Sequence, residues 1–224
     1  MSELLEPPVG VEQVRLRLAE VRRRITAAGG DPAQVEVVAV TKGFTVAAVS
    51  AALAAGLRAV GENYAQELLA KAAALSTAGV CWHFLGAVQR RKVPRLAPVV
   101  ACWQSLCRVE EGEAIAKHAP GARAFVEVSL SDLPGRRGVP MDGAALLVER
   151  LRGLGLQVEG LMAVGPPGGP EQARPGFRAL SQLRRQLGLS QLSAGMTDDL
   201  EVAVQEGSTM VRVGRALFGP RPSQ

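Results

Sequence analysis

Lys42 is the residue around which chemistry could be built. The run Val35-Glu36-Val37-Val38-Ala39-Val40-Thr41 is dominated by small and β-branched side chains and ends in that lysine, after which Gly43 and Phe44 lead the chain away. Such a run predicts a strand buried on both faces, as parallel strands are. Its carboxyl end is where α/β proteins keep their ligand sites. An amine held there, partly out of water, loses proton affinity and can form a Schiff base with an aldehyde. The plainer reading is a packed stem with its ammonium in water.

Other strand ends add candidates. Gly61-Glu62-Asn63-Tyr64 would bring a carboxylate and an amide to the same mouth, although Asn63 also reads as a helix N-cap. His83, between Trp82 and Phe84, is expected in the core. The segment Ser193-Ala194-Gly195-Met196-Thr197 precedes a helix predicted to begin at Asp198, and its small residues leave backbone N–H groups open to an anion. In the last predicted strand, Thr209–Val213, alternation puts Met210 and Arg212 inward, with Gly214 and Arg215 following at the same rim. Arg212 could instead serve a structural ion pair with Glu62. Gly207-Ser208-Thr209 has the composition of a phosphate loop but precedes its strand, which makes it a turn on the opposite rim.

A lysine, an anion cradle and an inward arginine at one rim suggest a phosphorylated aldehyde. Pyridoxal 5′-phosphate (PLP) meets all three demands, with the aldehyde on lysine, the phosphate at the loops and the ring nitrogen facing arginine. A Schiff-base aldolase acting on a sugar phosphate would use the same parts. The pattern of residues leaves both open.

The elements that must hold these residues follow from periodicity. Residues 9–28 predict an amphipathic helix with Val11, Val14, Leu18, Val21 and Ile25 on one face, stopped by Gly29-Gly30. Strands are then expected at Val35–Thr41, Arg58–Val60, Trp82–Leu85, Val99–Gln104, Arg123–Ser129, Gln157–Ala163, Gln191–Ser193 and Thr209–Val213. Helical patterns fall between them: Thr45–Ala55 with Thr45 as N-cap, Asn63–Leu75, Gln89–Leu96, Glu110–Lys117, Asp142–Arg152, Pro170–Leu187 and Asp198–Gln205. Eight β-then-α units in 224 residues imply an α/β fold, a closed (β/α)8 TIM barrel, as a single domain over residues 1–224 with one extra N-terminal helix.

Composition narrows the function. No window approaches eighteen consecutive apolar residues, and Met1-Ser2-Glu3 opens without a basic, then apolar, leader pattern, so neither a membrane span nor a signal peptide is expected. Cys81, Cys102 and Cys107 lack paired spacing and, with only His83 and His118, argue for buried thiols rather than disulfides or a metal site. The net charge of +5 lies in arginine clusters at Arg22-Arg23-Arg24, Arg90-Arg91-Lys92 and Arg184-Arg185. Aromatics are 4% of the chain, too few to stack bases, so solvated helix faces are expected rather than nucleic-acid binding.

The chain resembles a known family, the pyridoxal phosphate homeostasis proteins, related to the N-terminal barrel of alanine racemase. The matching stretches are Val38–Lys42, Gly61–Glu67, Trp82–Gly86, Gly160–Met162, Gly195–Asp199 and Gly207–Gly219, in order from about residue 10 to 221. The resemblance implies a PLP-binding, cytoplasmic barrel of PLP fold type III. Lys42 would carry the Schiff base, Arg212 would face the pyridine nitrogen, Asn63 would lie beside the ring, and Ser193 with the backbone of Gly214 and Arg215 would hold the phosphate. It also implies no established turnover: a monomeric regulator or carrier of PLP, with PLP-dependent apo-enzymes as partners. The alternative is an amino-acid racemase of alanine type. Racemases carry a further β-domain that supplies a second base, whereas this chain ends at Pro220-Arg221-Pro222-Ser223-Gln224 and offers only Lys42 as an evident proton-transfer group. Thr41 stands where the family often has Ser, Arg91 where Asn is common, Arg136 where Lys is common, and Ala194 where a larger residue is usual.

Overall fold

The computed structural model describes residues 10–75, 79–131, 133 and 135–221; the readings made on Met1-Ser2-Glu3 and on the last three residues lie outside these. Eight parallel strands close in sequence order: β1 (Glu36–Val40), β2 (Ala59–Glu62), β3 (Cys81–Phe84), β4 (Val100–Leu106), β5 (Arg123–Glu127), β6 (Gln157–Met162), β7 (Gln191–Ser193) and β8 (Met210–Val213). The seam is β1 against β8, with Glu36 opposite Met210 and Ala39 opposite Val213. The fold is a (β/α)8 barrel, as the alternation of strand and helix patterns predicts.

Strand alternation explains two distinct layers. Inward positions Val38, Ala59, Cys102, Phe125, Met162 and Met210 fill the barrel. Outward positions such as Val60, Trp103, Val126, Leu161 and Leu192 pack beneath the helices. Around them run α2 (Val46–Ala54), α3 (Ala65–Ala74), α4 (Val93–Leu96), α5 (Val109–His118), α6 (Ala144–Gly153), α7 (Pro170–Gln186), α8 (Leu200–Gln205) and α9 (Arg215–Phe218). The last two are short, which leaves the outer face of β8 and β1 thinly covered. The N-terminal helix α1 (Val11–Ala27) completes that cover: Val14, Leu18, Val21 and Ile25 are buried with Val37, Val211, Leu217 and Phe218. Such an apolar stripe facing the core is what stabilises a surface helix.

Several boundaries differ for local reasons. The segment expected as one helix over Gln89–Leu96 is a 3-10 turn at Arg90–Lys92 followed by α4, because Pro94 has no N–H to give a helix interior. Thr45 precedes α2 but makes no side-chain cap bond, and Tyr64 rather than Asn63 precedes α3. The arginine clusters are largely solvated, with Arg22, Arg23, Arg90, Arg91 and Arg185 exposed. Among the described residues no helix is long and apolar enough to cross a membrane. The three cysteines are free thiols.

Candidate ligand-binding site at the carboxyl rim

A cavity of about 400 Å³ opens at the carboxyl ends of the strands. Lys42, Asn63, Arg212, Gly214 and Arg215 all line it, so five of the six residues singled out in the sequence meet at one place. Lys42 is half-buried and, among the described residues, its ammonium has no hydrogen-bond partner. Burial pulls its pKa below the ordinary lysine value, helped by the nearby Arg221 and Arg212 guanidinium groups and opposed by Glu62 and Glu67.

Arg212 rises from β8 into the floor of the cavity and is 5% exposed. Its Nη1 donates to the Ser193 carbonyl (2.7 Å) and hydroxyl (2.8 Å), and its Nη2 donates to the Ala163 carbonyl (2.8 Å). Nε–H and one Nη2 hydrogen remain without an acceptor among the described residues. Burial lowers its pKa to about 10, so the guanidinium still carries its charge at neutral pH. The structural alternative, a pair with Glu62, is not made. Outward alternation along β2 turns the Glu62 carboxylate away from the mouth, where it accepts from Thr41 Oγ1 and Lys71 Nζ, both at 2.6 Å.

Ser193 lies beneath the cavity, fully buried, and does not line it. Its hydroxyl donates to Gln104 Oε1 (2.7 Å) while accepting from Arg212. That bond orients the Gln104 amide so that Nε2 donates to His83 Nδ1 (2.6 Å), leaving His83 Nε2–H to face Cys81 Sγ at 3.5 Å. His83 is the core histidine the sequence suggested; burial holds its pKa near 4, so it is neutral. Ser193→Ala should therefore leave the Gln104 acceptor unpaired and cost about 1–3 kcal/mol of stability. Denaturant unfolding would measure this, and an unchanged midpoint would contradict the buried chain.

The anion side of the cavity is built by backbone. Among the described residues the N–H groups of Gly214 and Arg215 have no acceptor. Ala216 N–H donates to Thr197 Oγ1 (3.3 Å), which leaves the Thr197 hydroxyl hydrogen free to donate into the cavity it lines. Arg215 pairs with Asp198, and Asp199 accepts from the Met196 N–H at 2.6 Å. A Cβ on Gly214 would come 3.0 Å from the Val40 carbonyl, so a side chain there would press on the close approach of β8 to β1. Ser208 is buried, with its hydroxyl bonded to the backbone of Leu192, Ala194 and Met210. It is a structural turn residue, as its position before β8 predicts.

Three charged lining residues are not singled out in the sequence, Glu127, Arg137 and Arg221, whereas Thr197 lies in the loop expected to receive an anion. Glu127 ends β5, two residues before the end expected for that strand, so the strand-end rule passes it over. Burial pushes its carboxyl pKa up, while Arg137 Nε, at 3.4 Å, opposes that shift. Arg137 comes from a loop without periodicity, and nothing in its spacing marks it.

Known proteins resemble this chain over most of its length. The family described as alanine racemase, N-terminal domain, matches residues 12–222. A pyridoxal phosphate homeostasis protein of Pseudomonas aeruginosa is 37% identical, over 94% of this chain and 95% of its own. The chain belongs to the pyridoxal phosphate homeostasis protein family. Among solved structures similar to this family member is PipY of Synechococcus elongatus with PLP bound, 30% identical with a TM-score of 0.79, over 92% of this chain and all (100%) of that one. Alanine racemase from Bacillus anthracis shares the barrel at 19% identity with a TM-score of 0.71; the alignment covers 96% of this chain and 57% of that one.

Proposed function

We propose that the protein binds pyridoxal 5′-phosphate at the carboxyl rim, covalently through Lys42 Nζ, and holds it for use elsewhere. The observation that carries this reading is the convergence of Lys42, Arg212 and the unpaired amides of Gly214 and Arg215 on one cavity. The donor set fits the cofactor: a half-buried amine for an aldehyde, guanidinium hydrogens for a ring nitrogen, and backbone N–H groups for a phosphate. Bound PLP supplies an aldehyde for capture by an amine and a ring that withdraws electrons.

Within that reading each residue has a task. Lys42 provides the nucleophilic amine, Arg212 donates from the cavity floor, and Asn63 flanks the ligand. Gly214 and Arg215 hold the phosphate through their amides, with the Thr197 hydroxyl beside them. Ser193 contributes from behind, by fixing Arg212. The finer reading is a cytoplasmic, single-domain and monomeric carrier that yields PLP to apo-enzymes. A PLP-dependent racemase is the second reading, favoured by Glu127 in the same cavity wall.

The test is visible absorbance on adding PLP, lost on borohydride reduction. Its pH dependence has a defined sign. Capture needs the neutral amine, so its rate rises with pH and levels off above the Lys42 pKa. Because that pKa lies below the ordinary 10.5, the plateau should begin below 10.5 as well. A rate still climbing beyond that value would contradict the depressed lysine.

A further inference from the structure

Glu62, Glu67 and Lys71 line no part of the proposed ligand site, yet they are bonded to the residues on either side of Lys42. Thr41, Lys42, Gly43 and Phe44 form a four-residue turn, closed by Phe44 N–H donating to the Thr41 carbonyl at 3.0 Å. Gly43, third in the turn, has φ +74°, the value that a type II turn needs at that position and that glycine supplies most readily. Lys71 is buried on α3 and its ammonium has three hydrogens to donate. They meet three acceptors: the Thr41 carbonyl at 2.8 Å, Glu62 Oε1 at 2.6 Å and Glu67 Oε2 at 3.2 Å. Glu67 Oε2 also accepts from the Gly43 N–H at 2.9 Å, and Glu62 Oε1 from the Thr41 hydroxyl at 2.6 Å. The backbone on both sides of Lys42 is thus bonded to one cluster.

We propose that Lys71, Glu62 and Glu67 are positioning residues that fix the Thr41–Phe44 turn so that the Lys42 side chain is presented to the cavity. The inference rests on the reading of Lys42 as the lysine that captures the cofactor. Stability alone is a poor account of the cluster. A buried ion pair seldom repays its desolvation, and here Glu62 Oε2 is left buried with no partner among the described residues. A costly polar cluster set against both flanks of a functional residue is the arrangement that orientation requires.

Competitive acetylation followed by peptide mapping reads the Lys42 amine without any cofactor, with exposed Lys117 as internal reference. Borohydride trapping of PLP on Lys42 is the second readout. The variants are Glu67→Leu, the conservative Glu67→Gln, and the double variant Lys71→Met/Glu62→Gln, which removes the buried charges together so that neither is stranded. Far-UV circular dichroism checks that each is folded. Glu67→Leu removes the acceptor of the Gly43 N–H, and the double variant removes the Lys71 bond to the Thr41 carbonyl. Once the turn is released, the Lys42 ammonium reaches water and its proton affinity climbs back toward that of an ordinary lysine. Its acetylation at neutral pH should fall severalfold as the free-amine fraction drops, and PLP trapping should fall by a similar or larger factor. Loss of a carboxylate acting through charge alone would move the amine the other way, since Glu62 and Glu67 both raise its pKa. Glu67→Gln keeps an acceptor oxygen and should recover most of the wild-type behaviour. An unchanged or more reactive Lys42 in folded Glu67→Leu or in the double variant, or a Glu67→Gln protein as impaired as Glu67→Leu, would overturn the proposal. If the wild-type protein failed to take PLP, the proposed function would fall, while the acetylation profiles would still decide the positioning role.

Discussion

Lys42→Ala will abolish covalent capture of PLP and leave the barrel folded. The chain has four lysines, at positions 42, 71, 92 and 117, and Lys42 alone among them lines the cavity. Lys71 spends its hydrogens on Thr41, Glu62 and Glu67, Lys117 is exposed on α5, and Lys92 lies beside a separate cleft. Borohydride reduction and peptide mapping of the wild-type protein should put the pyridoxyl group on Lys42, and the variant should carry none. What binding remains would come from contacts to the phosphate and ring, weaker by about a hundredfold or more, or about 2.7 kcal/mol. The fold should tolerate the change because, among the described residues, the ammonium has no bonded partner to lose. The sign of its pKa shift agrees. A lysine with a folded-state pKa below its unfolded value costs stability at every pH below that unfolded value, so alanine relieves a penalty. Label concentrated on Lys92 or Lys117 in the wild type would defeat the assignment.

The barrel was legible because its signals are local. Each strand is a short apolar run and each intervening helix a periodic one, and all eight runs became strands that pair in chain order. Strand ends then selected Lys42, Asn63, Arg212, Gly214 and Arg215, and these share the cavity. Depth within the barrel was not legible. Ser193 also ends its strand, but β7 and β8 pair with Ser193 beside Met210, two residues below Arg212. That register sinks Ser193 beneath the floor, and register is a property of the closed sheet rather than of either strand. Glu62 was misplaced for a different reason. Alternation along β2 already assigns it the outward side, since Val60 packs outside the barrel and Ala59 inside. The strand-end rule had to be combined with parity. The Lys71 cluster joins the turn after β1 to β2 and α3, and no single segment announces it. The α9 helix has four residues, too few for a periodic pattern to register.

With its cofactor loaded, the protein should exchange the Cα proton of alanine far more slowly than a racemase. Arg212 is the reason. Its guanidinium remains protonated at neutral pH even with its pKa lowered to about 10, and it can only donate hydrogen bonds. The Ser193 and Ala163 carbonyls lock its orientation, and its unused hydrogens demand an acceptor. Whatever ring nitrogen meets them must offer a lone pair, so it is not protonated and draws electrons from Cα weakly. The opposite face of the cavity supplies little help. Both lining carboxylates are held by arginines, Glu127 by Arg137 and Asp198 by Arg215. Racemisation needs a proton acceptor on one face of Cα and a donor on the other, and although burial raises the pKa of Glu127, its carboxylate is engaged by Arg137 rather than free to move to Cα. Incubation with L- and D-alanine in deuterated water, followed at Cα, should show turnover well below about 1 s⁻¹, the lower end of the ordinary enzyme range. Faster exchange would defeat the carrier reading, and its loss in Glu127→Gln would name the second base.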